Sequence, residues 1–273
     1  MPNALKRLPA RLTVLEKTNY LFKNWRHAAA GTVVFPGCGF MSFFPKTLRA
    51  LESALSCVPD VGFAYDCCGL PLAGLAGEVA ARRELDRVGG NLLRAGAREA
   101  VVLCPNCGAA FDGALPCNVV TVYAKLYELA QAGRASLHAI EAPGAVFVPC
   151  PDRDKRAWLS DVEPFLGADV FPSSRDACCG AAFELGNPAA SDAAAVRVLA
   201  AIARECAGRG IDDPVVYVYC ASCAGKLERA RRSCADEACR RVRIVHVLSA
   251  LLGVDEAPAI SASVLNRARK AWG

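Results

Sequence analysis

Nowhere in this chain is there an uninterrupted run of the ~18 apolar residues that a membrane-spanning helix needs, so it has no transmembrane segment of its own. The N-terminal stretch MPNALKRLPARLTVLEKTNYLFKNWRH never builds the apolar centre of a secretory signal. These absences read as a cytoplasmic protein, or one peripheral to a membrane complex. The C-x2-C-x2-C-x3-C-P run of bacterial ferredoxins is missing, and so is a G-x-G-x-x-G turn between strand and helix. The chain therefore carries no evident cubane relay and no evident flavin or nicotinamide site. Charge of one sign is scarce too. The net charge is +5, and residues 1–27, with six Lys or Arg against Glu16, account for all of it. No basic patch of the kind that grips nucleic acid stands out elsewhere, so nucleic acid is excluded as a partner. The basic segment reads as a solvated leader or a docking arm.

Cysteine is abundant: there are fifteen in 273 residues. In a reducing compartment such a count points to metal binding or redox chemistry rather than to disulfides. Hydrophobic residues make up 53% of the chain, enough for a sizeable core.

The chain repeats itself over a long period. TVVFPGC (32–38) matches GAVFVPC (144–150), and FAYDCCG (63–69) matches SRDACCG (174–180). AVVLCPNCGAAF (100–111) matches VVYVYCASCAGKL (215–227), and VVTVYAKLYELA (119–130) matches VRIVHVLSALLG (242–253). Within each half, short runs of Val, Phe and Tyr read as buried strands. Stretches rich in Ala, Leu and Arg at 76–96 and 191–210 read as helices, the second capped by Ser191 or Asp192 and stopped by Gly208 and Gly210. The expected fold is α/β: two tandem pseudo-symmetric domains, each a mostly parallel sheet covered by helices. The expected boundaries are a basic arm at 1–30, a first domain at 31–140, a second at 141–255, and a helical tail at 256–273. Pro143 and Gly144 mark the break between halves.

This alternation puts Cys38, Cys104, Cys150 and Cys220 at the carboxyl ends of strands. The pairs Cys67–Cys68 and Cys178–Cys179 fall in loops leading into helices. That edge of a parallel sheet is where ligands bind. The spacing is C-x28-CC-x35-C-x-x-C in the first half and C-x27-CC-x40-C-x-x-C in the second. Thiolate is a soft donor that selects zinc, copper(I) or iron–sulfur. A structural zinc takes four ligands, which leaves one thiol over in each half, and adjacent cysteines fit one small ion poorly. A polynuclear iron–sulfur group suits five donors better, although an ordinary cubane needs only four. Zinc and plain core thiols stay open as lesser readings. Gly69 and Gly180, directly after the pairs, would let backbone N–H groups approach the sulfurs.

The doubled C…CCG…C-x-x-C pattern resembles the cysteine-rich CCG-domain family, whose type member is the disulfide-cleaving subunit of heterodisulfide reductase. Relatives include iron–sulfur subunits of glycolate and lactate oxidation complexes and of anaerobic glycerol-3-phosphate dehydrogenase. The resemblance covers about residues 32–253. It implies two noncubane [4Fe-4S] clusters. Cys38, Cys67, Cys68, Cys104 and Cys107 would hold the first, and Cys150, Cys178, Cys179, Cys220 and Cys223 the second. It implies an oxidoreductase that cleaves a small disulfide, or acts on a related thiol substrate, by two one-electron steps. A module that only passes electrons between a dehydrogenase or quinone and a partner is the alternative. The partners implied are a ferredoxin-like iron–sulfur subunit and a flavin-containing subunit. Two departures stand out: the first intervals are short, and VPCPDR lacks the histidine that often precedes that cysteine in the family.

Outside the thiols, His138 and His246 are candidate proton carriers, with His246 better read as a satisfied core residue. His27 reads as surface. Lys125, Arg153 and Lys226 are expected near the cysteine rim, where they would hold substrate carboxylates or stand as solvated charge. Cys206 reads as core, and Cys234 and Cys239 as a candidate redox pair; Cys57 and Cys117 are the remaining thiols.

Overall fold

The computed structural model describes residues 12, 14–16, 21–174 and 177–272. Most of the basic arm, including Lys6, Arg7, Arg11 and Lys17, lies outside the described residues, and with it the docking role read there.

The chain builds two α/β sheets in succession. The first contains β1 (Asn24–His27), β2 (Thr32–Phe35), β3 (Val61–Tyr65), β4 (Glu99–Val102) and β5 (Asn118–Thr121), in the order β1-β3-β2-β4-β5. The second contains β6 (Gly144–Phe147), β7 (Val170–Pro172), β8 (Val215–Val218) and β9 (Arg243–His246), in the order β7-β6-β8-β9. All pairings are parallel except β1 with β3. Without β1 the two sheets share one topology, so the repeat read in the sequence is a repeat of architecture. The central strands β2, β4, β6 and β8 are apolar throughout or nearly so because helices cover both faces of each sheet.

The helices follow the strands. In the first half they are α1 (Gly37–Phe43), α2 (Pro45–Leu55), α3 (Leu70–Ala76), α4 (Glu78–Ala95), α5 (Pro105–Phe111) and α6 (Val122–Gln131). In the second they are α7 (Ala157–Val162), α8 (Pro188–Ala207), α9 (Ala221–Ser233), α10 (Glu237–Arg241) and α11 (Val247–Leu251). A last helix, α12 (Ser263–Trp272), returns to the first half, where the Asn266 amide donates to the Ser42 carbonyl at 3.0 Å.

Five local expectations are corrected. Residues 24–27, read as the end of an arm, form the edge strand β1. The helix read at 76–96 is the single helix α4, with its start moved in to Glu78 because Gly77, at φ 92°, separates it from Ala76 at the end of α3. The second long helix starts at Pro188, capped by the Asn187 side chain accepting from Ala190 N–H at 3.1 Å, and not by Ser191 or Asp192. Gly144 does not interrupt a strand. It opens β6, where a β-carbon would sit 2.0 Å from the Val215 carbonyl oxygen. The last repeat also slips: Thr121 and His246, each the final residue of its strand and the N-cap of its helix, are the equivalent positions.

The halves pack through the helices that follow the central strands. On one side α1 meets α9, where a β-carbon on Gly225 would stand 2.8 Å from the Phe43 ring. On the other, α5 meets the turn at Cys150–Asp152 and the Trp158 ring, with Gly108 leaving the space. These contacts turn the carboxyl edges of the two sheets toward one another.

Candidate metal centre

In each sheet the strand order reverses its direction of growth at the central pair, β2 with β4 and β6 with β8. The crevice beyond the carboxyl ends of such a pair is where α/β sheets bind ligands. Cys38 and Cys104 follow β2 and β4; Cys150 and Cys220 follow β6 and β8. Cys67–Cys68 follows β3 and Cys178–Cys179 follows β7. Cys107 and Cys223 lie in the first turns of α5 and α9, whose N-caps are Cys104 and Cys220.

The thiols are in contact within each half. Cys68 is hydrogen-bonded to Cys107 and Cys67, and these bonds hold its thiol down to about 5. Cys104 lies well below the ordinary thiol range because of Cys107 and Cys220. In the second half, bonds from Cys178 and Cys223 bring Cys179 down to about 3, and the Cys179 and Cys223 sulfurs are 3.2 Å apart. Cys107, Cys178, Cys220 and Cys223 shift upward, each chiefly through its bond to the thiolate-favouring neighbour. The Cys104–Cys220 contact joins the two sets at a seam between the halves. Asn106 supports it, its amide donating to Cys220 Sγ at 3.6 Å. Exposure differs around the rim: Cys38 and Cys178 are half-buried, Cys150 is exposed, and the other seven are buried.

Backbone donors reach the sulfurs as the glycines suggest. Leu70 N–H points to Cys68, Ala181 N–H to Cys179, and Asn106 and Cys107 N–H to Cys104. Gly69 (φ 80°) and Gly180 (φ 87°) are left-handed N-caps of the segments that carry these donors, and Gly180 N–H lies 3.3 Å from Cys178 Sγ. A side chain at Gly180 would put its β-carbon 2.5 Å from the Ser191 carbonyl oxygen.

Two buried aspartates pin the thiol loops, and the sequence reading missed both. Asp66, directly before Cys67, accepts from Trp25 Nε1 at 2.7 Å, from Arg87 Nη1 and Nη2 at 2.7 and 2.9 Å, and from Cys67 N–H at 2.8 Å. Asp152, two residues after Cys150, accepts from Trp158 and Leu159 N–H at 2.9 and 2.8 Å and from the Tyr219 hydroxyl at 2.7 Å. The Asp in FAYDCCG was visible, but its partners are supplied by distant segments.

The basic candidates divide. Arg153 does reach the rim, with Nη2 3.4 Å from Cys150 Sγ. Lys125 is mostly buried and pairs with Glu99 and Glu128, both at 3.0 Å. Since Glu99 opens β4, this pair sits at the sheet edge opposite the thiols. Lys226 is 1% exposed and held by Asp192 at 2.5 Å and Glu184 at 3.8 Å, so it is neither solvated nor open to a substrate. His27 and His138 are exposed. His246 is a buried core residue, as read, but not a satisfied one: Nδ1 accepts from Leu248 N–H at 3.2 Å while Nε2 has no partner. Cys206 is core; Cys234 and Cys239 are buried and hydrogen-bonded to one another.

Among the described residues, no group of three or more His, Cys, Asp or Glu side chains is arranged to hold a metal ion. The thiols are drawn into hydrogen-bonded chains, and any inorganic group among them would have to spread those contacts. The chemistry of the donors still fits a thiolate-ligated polynuclear group. Each half offers five soft donors at one sheet edge, with backbone N–H groups aimed at sulfur. Gly37 leaves a cradle beside them, since a β-carbon there would stand 2.8 Å from Cys107 Sγ. Of two cavities, one of about 620 Å³ lies away from the thiols, and one of about 460 Å³ adjoins the thiol loops through Pro105, Gly108, Pro151 and Asp152; neither has a cysteine in its lining.

No family model matches the chain, and no curated protein matches it. Among solved structures, aspartate racemase from Picrophilus torridus aligns over 87% of this chain and 98% of its own, at 8% identity and a TM-score of 0.39. An aspartate racemase homologue from Pyrococcus horikoshii OT3 aligns over 82% and 96%, at 13% identity and a TM-score of 0.34. Likenesses this shallow carry no argument about activity. No helix among the described residues is long and apolar enough to cross a membrane.

Proposed function

We propose that this chain is the iron–sulfur subunit of a heterodisulfide reductase-like oxidoreductase of the CCG-domain kind. Its two sets of five cysteines would hold two [4Fe-4S] clusters. The observation that carries the reading is the pairing of equivalent thiol sets at equivalent sheet edges, joined at the Cys104–Cys220 seam. When bound, the clusters would supply one electron each. Opening a disulfide takes two electrons and two protons and yields two thiols, so adjacent one-electron centres suit it.

The chain's own residues do the holding. Asp66 and Asp152 fix the loops that present Cys67–Cys68 and Cys150. Backbone N–H groups after the vicinal pairs stabilise anionic sulfur. Arg153, beside the exposed Cys150, gives an anionic thiol substrate a cation on the open side of the second set. Electrons would come from a ferredoxin-like partner, itself served by a flavin-containing subunit.

A second reading, an electron-transfer subunit without substrate chemistry, is favoured by one observation: seven of the ten thiols, Cys104 and Cys220 at the seam among them, are buried. Anaerobically purified protein, given a reduced viologen dye and a small asymmetric disulfide, separates the two. Release of two thiols per two electrons consumed supports the reductase. Dye oxidation by a partner acceptor without thiol release supports the electron carrier. Neither activity in protein that contains iron and sulfide would overturn both.

A further inference from the structure

Two polar side chains at the seam have no partner. The Tyr123 hydroxyl and His246 Nε2 are both buried without a hydrogen bond, and both residues are 0% exposed. Buried polar atoms are nearly always satisfied, so each orphan asks for an explanation. A phenylalanine at 123 would fill the same space without the cost of an unpaired hydroxyl.

Register places both orphans beside the thiols. Thr121 pairs with Val102 across β5 and β4, so Tyr123 and Cys104 each lie two residues past the same rung. His246 pairs with Val218 across β9 and β8, two residues before Cys220. Each orphan also leans on the opposite half. The Tyr123 ring stands edge-on to Trp158 and Tyr219, with centroids 6.2 and 6.4 Å away, and Tyr219 adjoins Cys220. The His246 ring rests on Phe40 and Phe44, at 5.0 and 4.7 Å. Because Nδ1 accepts the capping bond from Leu248, the neutral ring carries its proton on Nε2, so both orphans are donors.

The two are not repeats of one another. The equivalent of His246 in the first half is Thr121, whose hydroxyl is engaged with Ala124 N–H at 3.0 Å and Asp161 at 2.6 Å. The halves have thus diverged at these positions, yet each places one unpartnered donor near the same seam.

We propose that, with the iron–sulfur groups bound, Tyr123 O–H and His246 Nε2–H would donate hydrogen bonds to cluster sulfur near the Cys104–Cys220 seam and hold the negative charge that reduction adds. The inference rests on the iron–sulfur reading and deepens it: these are charge-stabilising residues that share no bond with metal. A donor to ligand sulfur raises a reduction potential, so its removal lowers it.

The test uses the full chain, purified anaerobically with its iron and sulfide, with Tyr123→Phe and His246→Asn as variants. Tyr123→Phe deletes only an unpartnered hydroxyl, and His246→Asn keeps an acceptor for the helix cap. Midpoint potentials are read by EPR-monitored titration, and exchangeable deuterons near the spin by pulsed EPR after transfer to D2O. The expected result is a downward shift of midpoint potential in both variants and loss of one deuteron coupling in Tyr123→Phe. Fully loaded variants with unchanged potentials and couplings would overturn the inference and leave the iron–sulfur reading intact. A wild-type chain without iron and sulfide would overturn both.

Discussion

Asp66→Asn probes how the first thiol loop is held. The carboxylate is fully buried and accepts from both terminal nitrogens of Arg87, the Trp25 indole and the Cys67 N–H. Asparagine keeps the shape but removes the charge, and turns one acceptor into a donor facing other donors. Removing one partner of a buried ion pair costs ~3–5 kcal/mol. Arg87 retains Glu84 at 2.8 Å and is a quarter exposed, which argues for the low end, ~3 kcal/mol. For a chain of this size that is a fall in Tm of roughly 6–12 °C. Thermal and urea unfolding followed by circular dichroism measure it. Asp86→Asn is the control, because its pair with Arg82 is more than half exposed on both sides and contributes under ~1 kcal/mol. If Asp66→Asn lies within ~1 kcal/mol of the wild type, or matches Asp86→Asn, the anchoring argument fails.

Three further outcomes follow from the same structure. Gly180→Ala must tolerate φ 87° and a 2.5 Å clash with backbone, whereas Gly133→Ala meets only φ 66° in open space; the first should cost at least ~2 kcal/mol more in urea unfolding, and equal costs would contradict it. Burial pushes the Glu228 carboxyl up, but Arg231 and Arg232 more than offset this and hold it below its ordinary 4.5. A depressed carboxylate stabilises the fold above that value, so Glu228→Gln should be less stable than wild type at neutral pH, with the gap closing as pH falls from about 4.5; a gap that widens on acidification would refute the assignment. Cys67→Ser and Cys179→Ser should each abolish the EPR signal of one cluster and spare the other, and equal loss of both signals would mean that the sets are not separate sites.

The sheet edges and the thiols on them were legible in the sequence because buried parallel strands read as unbroken apolar runs, and the cysteines stand directly after them. The duplication was legible for the same reason. What stayed hidden depends on contacts between distant segments. NWRH has no apolar pattern and becomes β1 only by lying along β3. Lys125 and Lys226 were expected near the cysteine rim, but their heads turn to Glu99 and Asp192. Asp66 and Asp152 look like ordinary loop acids until Arg87, Trp25 and Tyr219 close on them. The isolation of Tyr123 and His246 had no local signal either, since it reflects what the opposite half fails to provide.

The central claim is that each half's five cysteines hold a polynuclear iron–sulfur group. Anaerobic purification followed by iron and acid-labile sulfide analysis tests it most directly. Two [4Fe-4S] clusters predict about eight irons and about eight sulfides per chain. Stoichiometric zinc without labile sulfide would contradict it.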